Sequence, residues 1–395
     1  MNILVTSMID LQKSSHNSRL HQFLKYLSIK HSITVVSIND NWKEKYELNS
    51  EKYNDDFAEV YNKIQICHYT DKTISPIIQE VIYSFNIEKS LAKLDLSLYD
   101  VHFNYNGLCG GYALAKALKK YSIPTIYDIA DDLPAMIRSS PQIPHILRSF
   151  GGKYGDYMFQ KNIRIADKVT VTTNDLGAAS NVPLSKLVVL PNGVDTTLFQ
   201  PINRDEIRKN LHLDNSLVIG YVGVLREWVD FEPMFSAIKE LSSTIDMKIL
   251  LVGGGSGYAA TKELVHKYGL EKLTTLTGTI PYSKVPEYIS AMDICTIPFK
   301  TDQVSKNSLP LKLFEYMSCE KPVISSKIDI VVKEMSDYVL CAESADEYVS
   351  AIRALSNDYE TRKQMGKNGH KFVEKNYTWD SISASLEKIL LEVCK

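Results

Sequence analysis

Short runs of β-branched and aliphatic residues alternate along the chain with longer stretches whose apolar residues recur at helical spacing. That alternation is the signature of βα units building parallel sheets. In the first half it predicts strands over Ile3 to Thr6, Ile33 to Ile38, Ile64 to Cys67, Tyr99 to Phe103, Pro124 to Tyr127, Lys168 to Thr172 and Leu187 to Leu190. A second series predicts strands over Leu217 to Val222, Met247 to Val252, Leu273 to Leu276, Asp293 to Pro298, Pro322 to Ser325 and Tyr338 to Cys341. Helical patterns such as Phe231 to Leu241 and Ala345 to Leu355 accompany them. The turn-forming Pro191-Asn192-Gly193 separates the two series. Near the end, Ile382, Leu386, Ile389, Leu390 and Val393 share one helical face, with Thr378 or Asp380 as N-cap. The expected architecture is α/β, two Rossmann-like domains with a cleft between them. Residues 1–190 form the first domain and 191–375 the second; 376–395 form a helix that can cross back to the first.

Length agrees with two lobes, since 395 residues exceed one ordinary core and suit two domains of ~150 to 200. With 44% hydrophobic residues, 23% charged residues and a formal charge of −2, the chain reads as a soluble globular protein, and a nucleic-acid partner is not expected. The six cysteines are scattered, without a CxxC pair or a Cys/His cluster, and read as buried thiols of a reducing compartment. No segment approaches ~20 apolar residues, and the apolar N-terminus lacks the basic start and cleavage site of a signal peptide. A cytoplasmic protein that at most touches a membrane surface is the expectation.

Two segments carry candidate chemistry. Val252-Gly253-Gly254-Gly255-Ser256-Gly257 joins an apolar strand to a helical pattern starting near Ala259, where glycines let backbone N–H groups approach a diphosphate. The same segment also reads as a plain strand-to-helix turn, because its spacing is not GxGxxG. Asn307-Ser308-Leu309-Pro310-Leu311-Lys312-Leu313-Phe314-Glu315 delivers Lys312 and Glu315, three residues apart, at the start of a helix. A carboxylate there can hold two ribose hydroxyls and the helix start can hold phosphate. An ordinary i, i+3 ion pair on a capped surface helix is the other reading.

Together these segments resemble the retaining glycosyltransferases often called family 4, of the two-lobe GT-B architecture, over nearly the whole chain. Pro191-Asn192-Gly193-Val194-Asp195 with Phe199 is similar to the family's "PNGVD…F" signature, and Gly253 to Gly255 to its "VGxG" turn. Thr277-Gly278 with Val285, Tyr288, Ala291 and Asp293 is similar to "FxGxV…LPxYLxxADV". Pro310 to Met317 with Lys321-Pro322-Val323-Ile324 resembles "PxKLFEYMAxGKPVI". The resemblance implies that Glu315 binds the donor ribose, that Thr279 and Ile280 line the base, and that Gly253 and Gly254 face the nucleotide. It also implies that Asn307, Ser308 and Leu309 lie along the donor and that Arg226 sits on the diphosphate. A guanidinium there can grip phosphate bidentately and offset leaving-group charge, unless it only pairs with Glu227 or Asp230.

The chain departs from that pattern in three places. Asn307 stands where many relatives have a glutamate, and an amide supplies no charge. Only Arg226 represents the usual basic pair after the strand ending near Gly223, so Lys312 is the candidate to complete it. In Tyr127-Asp128-Ile129-Ala130-Asp131-Asp132, Ala130 falls where relatives often place a histidine. Asp131 and Asp132 become the acceptor-side candidates, as groups that orient or deprotonate a hydroxyl or stabilise an oxocarbenium-like centre. They read equally well as caps of the following helix. The three acids are not expected to hold a metal, because a metal in such enzymes must bridge donor phosphates. Ser14 to Arg19 replaces the family's Gly-Gly turn. Basic and aromatic residues interleave between Ile143 and Lys168, either as a membrane-surface patch or as a solvated helix with aromatics in the core.

The expected function is transfer of a sugar from a nucleotide diphosphate-sugar to a glycan or lipid-linked acceptor. Retention, metal independence, the absence of any further cofactor and a place in cell-surface polysaccharide or teichuronic-acid assembly are implied by the resemblance. A nucleotide-sugar 2-epimerase of the same architecture is the second enzyme class. A non-catalytic nucleotide-binding partner is the third reading, motivated by Ala130 and Asn307.

Overall fold

The structure is a computed structural model describing residues 1–13, 18–40, 57–85, 87–139, 145–213, 215–301 and 309–395. The chain divides into two compact units, Met1–Pro191 with Asp380–Lys395, and Asn192–Trp379. Among the described residues no helix is long and apolar enough to cross a membrane.

The first unit is a seven-stranded sheet of β1 (Asn2–Ser7), β2 (Ser32–Ser37), β3 (Gln65–His68), β4 (Val101–Tyr105), β5 (Thr125–Ile129), β6 (Lys168–Val171) and β7 (Leu187–Val189). All its pairings are parallel, in the order β3-β2-β1-β4-β5-β6-β7. Central strands such as β1 and β5 are buried almost end to end, as parallel strands covered on both faces must be. Most strand bounds shift by one or two residues from expectation, and β4 is displaced as a whole, running Val101–Tyr105 rather than Tyr99 to Phe103. Its polar members find partners inside. His102 lies between the Thr6 and Thr125 hydroxyls at 2.6 and 3.3 Å, and Asn104 donates to Asn162 Oδ1 at 2.9 Å. Burial lowers the His102 pKa to about 3, so it is a neutral core residue. The C-terminal helix Trp379–Val393 belongs to this unit and buries Ile382, Leu386, Ile389 and Leu390. Its Glu387 meets Lys30 and His31, each at 2.9 Å.

The second unit is a six-stranded parallel sheet of β8 (Leu217–Val222), β9 (Met247–Val252), β10 (Thr274–Leu276), β11 (Ile294–Ile297), β12 (Val323–Ser325) and β13 (Val339–Cys341). Its order is β10-β9-β8-β11-β12-β13. In both sheets the strand order reverses at one seam, between β1 and β4 and between β8 and β11. Ligands of open α/β sheets bind outside the carboxyl ends of the strands at such a seam. A helix the pattern did not single out, Tyr359–Asn376, packs behind Leu311–Ser318. Gly366 permits that approach, since a Cβ there would lie 2.0 Å from the Glu320 carbonyl oxygen. Small residues on this face leave little apolar periodicity to read.

Candidate functional site

In the second unit the ends of β8 and β9 turn on glycines in the left-handed half of backbone space, Gly223 at φ +146° and Gly253 at φ +141°. They touch closely, for a Cβ on Gly253 would lie 2.0 Å from the Gly223 carbonyl oxygen. Gly253 N–H donates to Gly278 O at 2.9 Å, which brings in the turn after β10. A Cβ on Gly254 would lie 2.6 Å from Thr279 Oγ1, so Gly254 and Thr279 are neighbours, with half-buried Ile280 next along the chain.

The helix Leu311–Ser318 enters beside this turn. Tyr316 fixes it to the end of β8, its hydroxyl accepting from Val222 N–H at 2.7 Å and donating to Val222 O at 3.2 Å. The Pro191-Asn192-Gly193 motif fixes its entry, because the Asn192 amide donates to the carbonyl of buried Leu309 at 2.7 Å. Phe199 supports its far end through a hydrogen bond from Ser318 Oγ to the Phe199 carbonyl. The Phe199 ring also lies 5.4 Å from that of Tyr282, whose hydroxyl donates to Glu315 Oε1 at 3.0 Å. The signature residues around the seam therefore hold the carboxylate indirectly.

Lys312 points to the β8 end. Its ammonium donates to Tyr221 OH at 2.8 Å and lies 4.4 and 4.8 Å from the ring centroids of Tyr221 and Phe299. A Cβ on Gly223 would come within 2.7 Å of that nitrogen. Phe299 follows β11, so Lys312 stands at the seam between β8 and β11. Burial lowers the Lys312 pKa to about 7, opposed by the nearby Glu315 charge. Burial likewise raises Glu315 to about 7, opposed by Tyr282 and Lys312. Both side chains keep part of their surface open at the strand ends. Arg226, half-buried in the following loop, has its guanidinium 5.6 Å from the Trp228 ring centroid and is in no ion pair among the described residues. Two cations, neither in a salt bridge among the described residues, therefore accompany a set of glycine-lined backbone turns, a suitable setting for an anion.

In the first unit the β5 end carries the acids. Asp128 is buried and bidentate to Arg19 at 3.0 and 3.1 Å, and accepts from Thr170 Oγ1. Arg19 also donates to Pro191 O at 2.6 Å. This is a satisfied structural pair, not a reactive carboxylate. Asp132 accepts from Ala135 N–H at 3.0 Å and so caps the helix Leu133–Ser139. Asp131 is open at its surface. Desolvation raises its pKa and Asp128 and Asp132 add to the rise, while Arg19 and an Asn106 hydrogen bond oppose it. Asn106, in the left-handed region at φ +52°, also accepts from Ala130 N–H at 2.9 Å and so fixes the backbone leading to Asp131.

The second unit thus brings together Arg226, Gly253, Gly254, Thr279, Ile280, Leu309, Lys312 and Glu315 around the ends of its strands. Asn307 and Ser308 lie outside the described residues, as does the loop from Ser14 to Asn17. Asp131 and Asp132 belong to the first unit. Other motif residues are structural: Asp293 holds Arg204, Arg208 and Val218 N–H, and Lys321 donates to the Ser290 and Met292 carbonyls at 2.8 Å. Tyr221, Tyr282, Phe299 and Asn106 escaped the sequence reading. An aromatic near a donor motif reads as core, and only the fold shows which ring meets Lys312 or Glu315.

Residues 203–372 match the family model described as glycosyl transferases group 1. This region is a group 1 glycosyltransferase domain. Among relatives of the chain, a GDP-mannose-dependent alpha-(1-6)-phosphatidylinositol monomannoside mannosyltransferase of Mycobacterium tuberculosis is 25% identical over 231 residues, 56% of this chain and 60% of its own length. The chain thus spans less than two thirds of that relative. TuaH of Bacillus subtilis, described as a putative teichuronic acid biosynthesis glycosyltransferase, is 25% identical over 70% of this chain and 69% of its own. The Anabaena HepE structure in complex with UDP shares the fold at a TM-score of 0.73 and 15% identity, covering 99% of this chain and all of that one. Sucrose-phosphate synthase of Thermosynechococcus elongatus does so at a TM-score of 0.76 and 17% identity, covering 99% and 98%. The two parallel sheets are the Rossmann-like pair of the GT-B fold.

Proposed function

We propose that the chain is a glycosyltransferase that takes a sugar from a nucleotide diphosphate-sugar and passes it, with retention, to a glycan or lipid-linked acceptor in cell-surface polysaccharide synthesis. The observation that carries this reading is the convergence of Lys312, Glu315 and the Gly253-Gly254 turn at the seam of the second sheet. Glu315 accepts the ribose hydroxyls, and Thr279 and Ile280 line the base. Lys312 and Arg226 face the diphosphate and stabilise the charge that develops as the leaving group departs. Asn307 and Ser308 follow as donor contacts. With two cations in that role, turnover does not require a metal. Asp131 serves the acceptor hydroxyl, while Asp132 positions the same segment through its cap. The lipid named for the mycobacterial mannosyltransferase, phosphatidylinositol monomannoside, favours a site at the inner face of a membrane, with peripheral contact.

The test is turnover across UDP-, GDP-, ADP- and TDP-sugars with and without EDTA. Release of nucleoside diphosphate from one of these donors, stimulated by an acceptor and insensitive to chelation, is expected. No turnover of any donor, or loss with EDTA and rescue by Mn²⁺, would overturn the mechanism. Formation of a 2-epimer without acceptor would assign the chain to the other enzyme class.

A further inference from the structure

Amphipathic helices on a globular unit turn their apolar side inward. The helix Pro76–Ser84 does the reverse for two of its residues. Gln79 and Glu80 are buried, and their side chains are used up by hydrogen bonds. Gln79 donates to Asn39 O at 2.7 Å and to Ile74 O at 2.8 Å, and Glu80 accepts from Leu108 N–H at 2.9 Å and Gly110 N–H at 3.1 Å. On the outside, Ile78, Ile82 and the capping Phe85 follow at i, i+4 and i+7, with Phe85 82% exposed.

A second helix repeats the exposure. His145–Ile165 buries Met158, Phe159, Asn162 and Ile163, yet leaves Ile146 89% and Phe150 72% exposed. Tyr154 and Tyr157 continue that row at the spacing of one helical face, and are exposed as well. Both helices flank the same short stretch, residues 108–110. Glu80 takes its amides from one side, and from the other Asn162 donates to Leu108 O at 2.9 Å while Tyr154 OH meets Cys109 Sγ at 3.6 Å. The helix Cys109–Leu118 packs between the two helices, so both apolar rows lie on the same helical layer of the first unit.

Charge selects the occupant. Along His145–Ile165 stand Arg148, Lys153, Lys161 and Arg164 against the single acid Asp156, which is itself paired with Arg138. Lys161 lies over the Tyr157 ring at 4.6 Å, so cation and aromatic occur side by side. Protein interfaces are depleted in lysine, whereas a row of exposed aliphatic and aromatic groups among lysines and arginines matches the boundary of an anionic bilayer.

We propose that this helical layer of the first unit docks on an anionic lipid surface, with Ile78, Ile82, Phe85, Ile146 and Phe150 entering the headgroup boundary. It rests on the transferase reading only for its use, the presentation of a lipid-linked acceptor; docking itself needs no turnover. Vesicles of phosphatidylcholine alone, and of equal parts phosphatidylcholine and phosphatidylglycerol, are sedimented with the full chain. Binding to the anionic vesicles, weakened by salt, is expected. Ile82→Glu with Phe85→Glu, and separately Ile146→Glu with Phe150→Glu, should each weaken it by at least ~10-fold. Ile29→Glu, another exposed isoleucine, should not. Absence of binding to anionic vesicles, or binding untouched by both double variants, overturns the proposal. Self-association of the parent chain that the same variants abolish also overturns it, giving the surface to a second copy. Nucleotide affinity measured on the same preparations separates failure of this surface from failure of the transferase reading.

Discussion

Replacing Lys312 by Met keeps the aliphatic stem against Tyr221 and Phe299 and removes only the charge. The fold should tolerate the change, because this ammonium is desolvated and its one hydrogen bond goes to a phenol. Since folding lowers the Lys312 pKa from 10.5 to about 7, the unfolded chain binds more protons between those values. Stability from this group therefore rises with pH across that window, and Lys312→Met should lose that slope. Nucleotide binding has the opposite dependence. At pH 8 a lysine with a pKa near 7 is mostly neutral, and a bound diphosphate favours its charged form, so binding takes up roughly one proton. Wild-type affinity should fall by up to ~10-fold per pH unit above pH 7, until the pKa of the bound state is reached. At pH 7 the substitution should cost ~1.5 to 3 kcal/mol for a charge-assisted hydrogen bond, or ~10- to 150-fold in Kd. Calorimetry in buffers of different ionisation enthalpy reads affinity and proton count together. Equal affinity and equal proton uptake in Lys312→Met would refute the placement of Lys312 on the diphosphate.

Asp131→Asn should cut turnover ~10²- to 10⁴-fold and leave nucleotide affinity intact, as expected of an acceptor-side base; parent-level turnover in steady-state kinetics would make Asp131 structural. Asp132→Asn retains a capping oxygen and should be nearly silent in thermal unfolding, so a large loss of turnover in this variant would move the acceptor role to Asp132. Gly253→Ala should abolish nucleotide binding, since its Cβ would strike the Gly223 carbonyl at 2.0 Å, whereas Gly269→Ala, at φ +68° with nothing within 4 Å, should cost only ~1 kcal/mol in chemical denaturation. Equal effects of the two glycine substitutions would show that the close turn is not needed.

The sheets were legible because parallel strands covered on both faces must be continuous apolar runs, as Leu217–Val222 and Met247–Val252 show by coinciding with their predicted bounds. β4 was ended two residues early because Asn104 looks like an exit from a strand, and only the distant Asn162 makes it interior. The residues at the β8 and β9 ends were legible as two short motifs, the glycine turn at Gly253 and the Lys312–Glu315 pair, each local in sequence. Their partners were not, because Tyr221 lies 91 residues from Lys312 and Tyr282 33 residues from Glu315. In the first unit the sequence offered Asp131 and Asp132 as equivalent candidates. The fold separates them, with Asp132 on a helix start and Asp131 open, while the neighbouring Asp128 is locked on Arg19.

Calorimetric binding of the preferred nucleoside diphosphate to the wild type and to Glu315→Ala addresses the donor site most directly. Folding raises the Glu315 carboxyl to about 7, so the wild type should bind more weakly below pH 7, where the ribose hydroxyls meet a protonated acid. At pH 8 Glu315→Ala should lose ~1 to 3 kcal/mol, or ~5- to 150-fold in Kd, with the fold intact by circular dichroism. Unchanged affinity in Glu315→Ala would contradict the donor site at the seam of the second sheet.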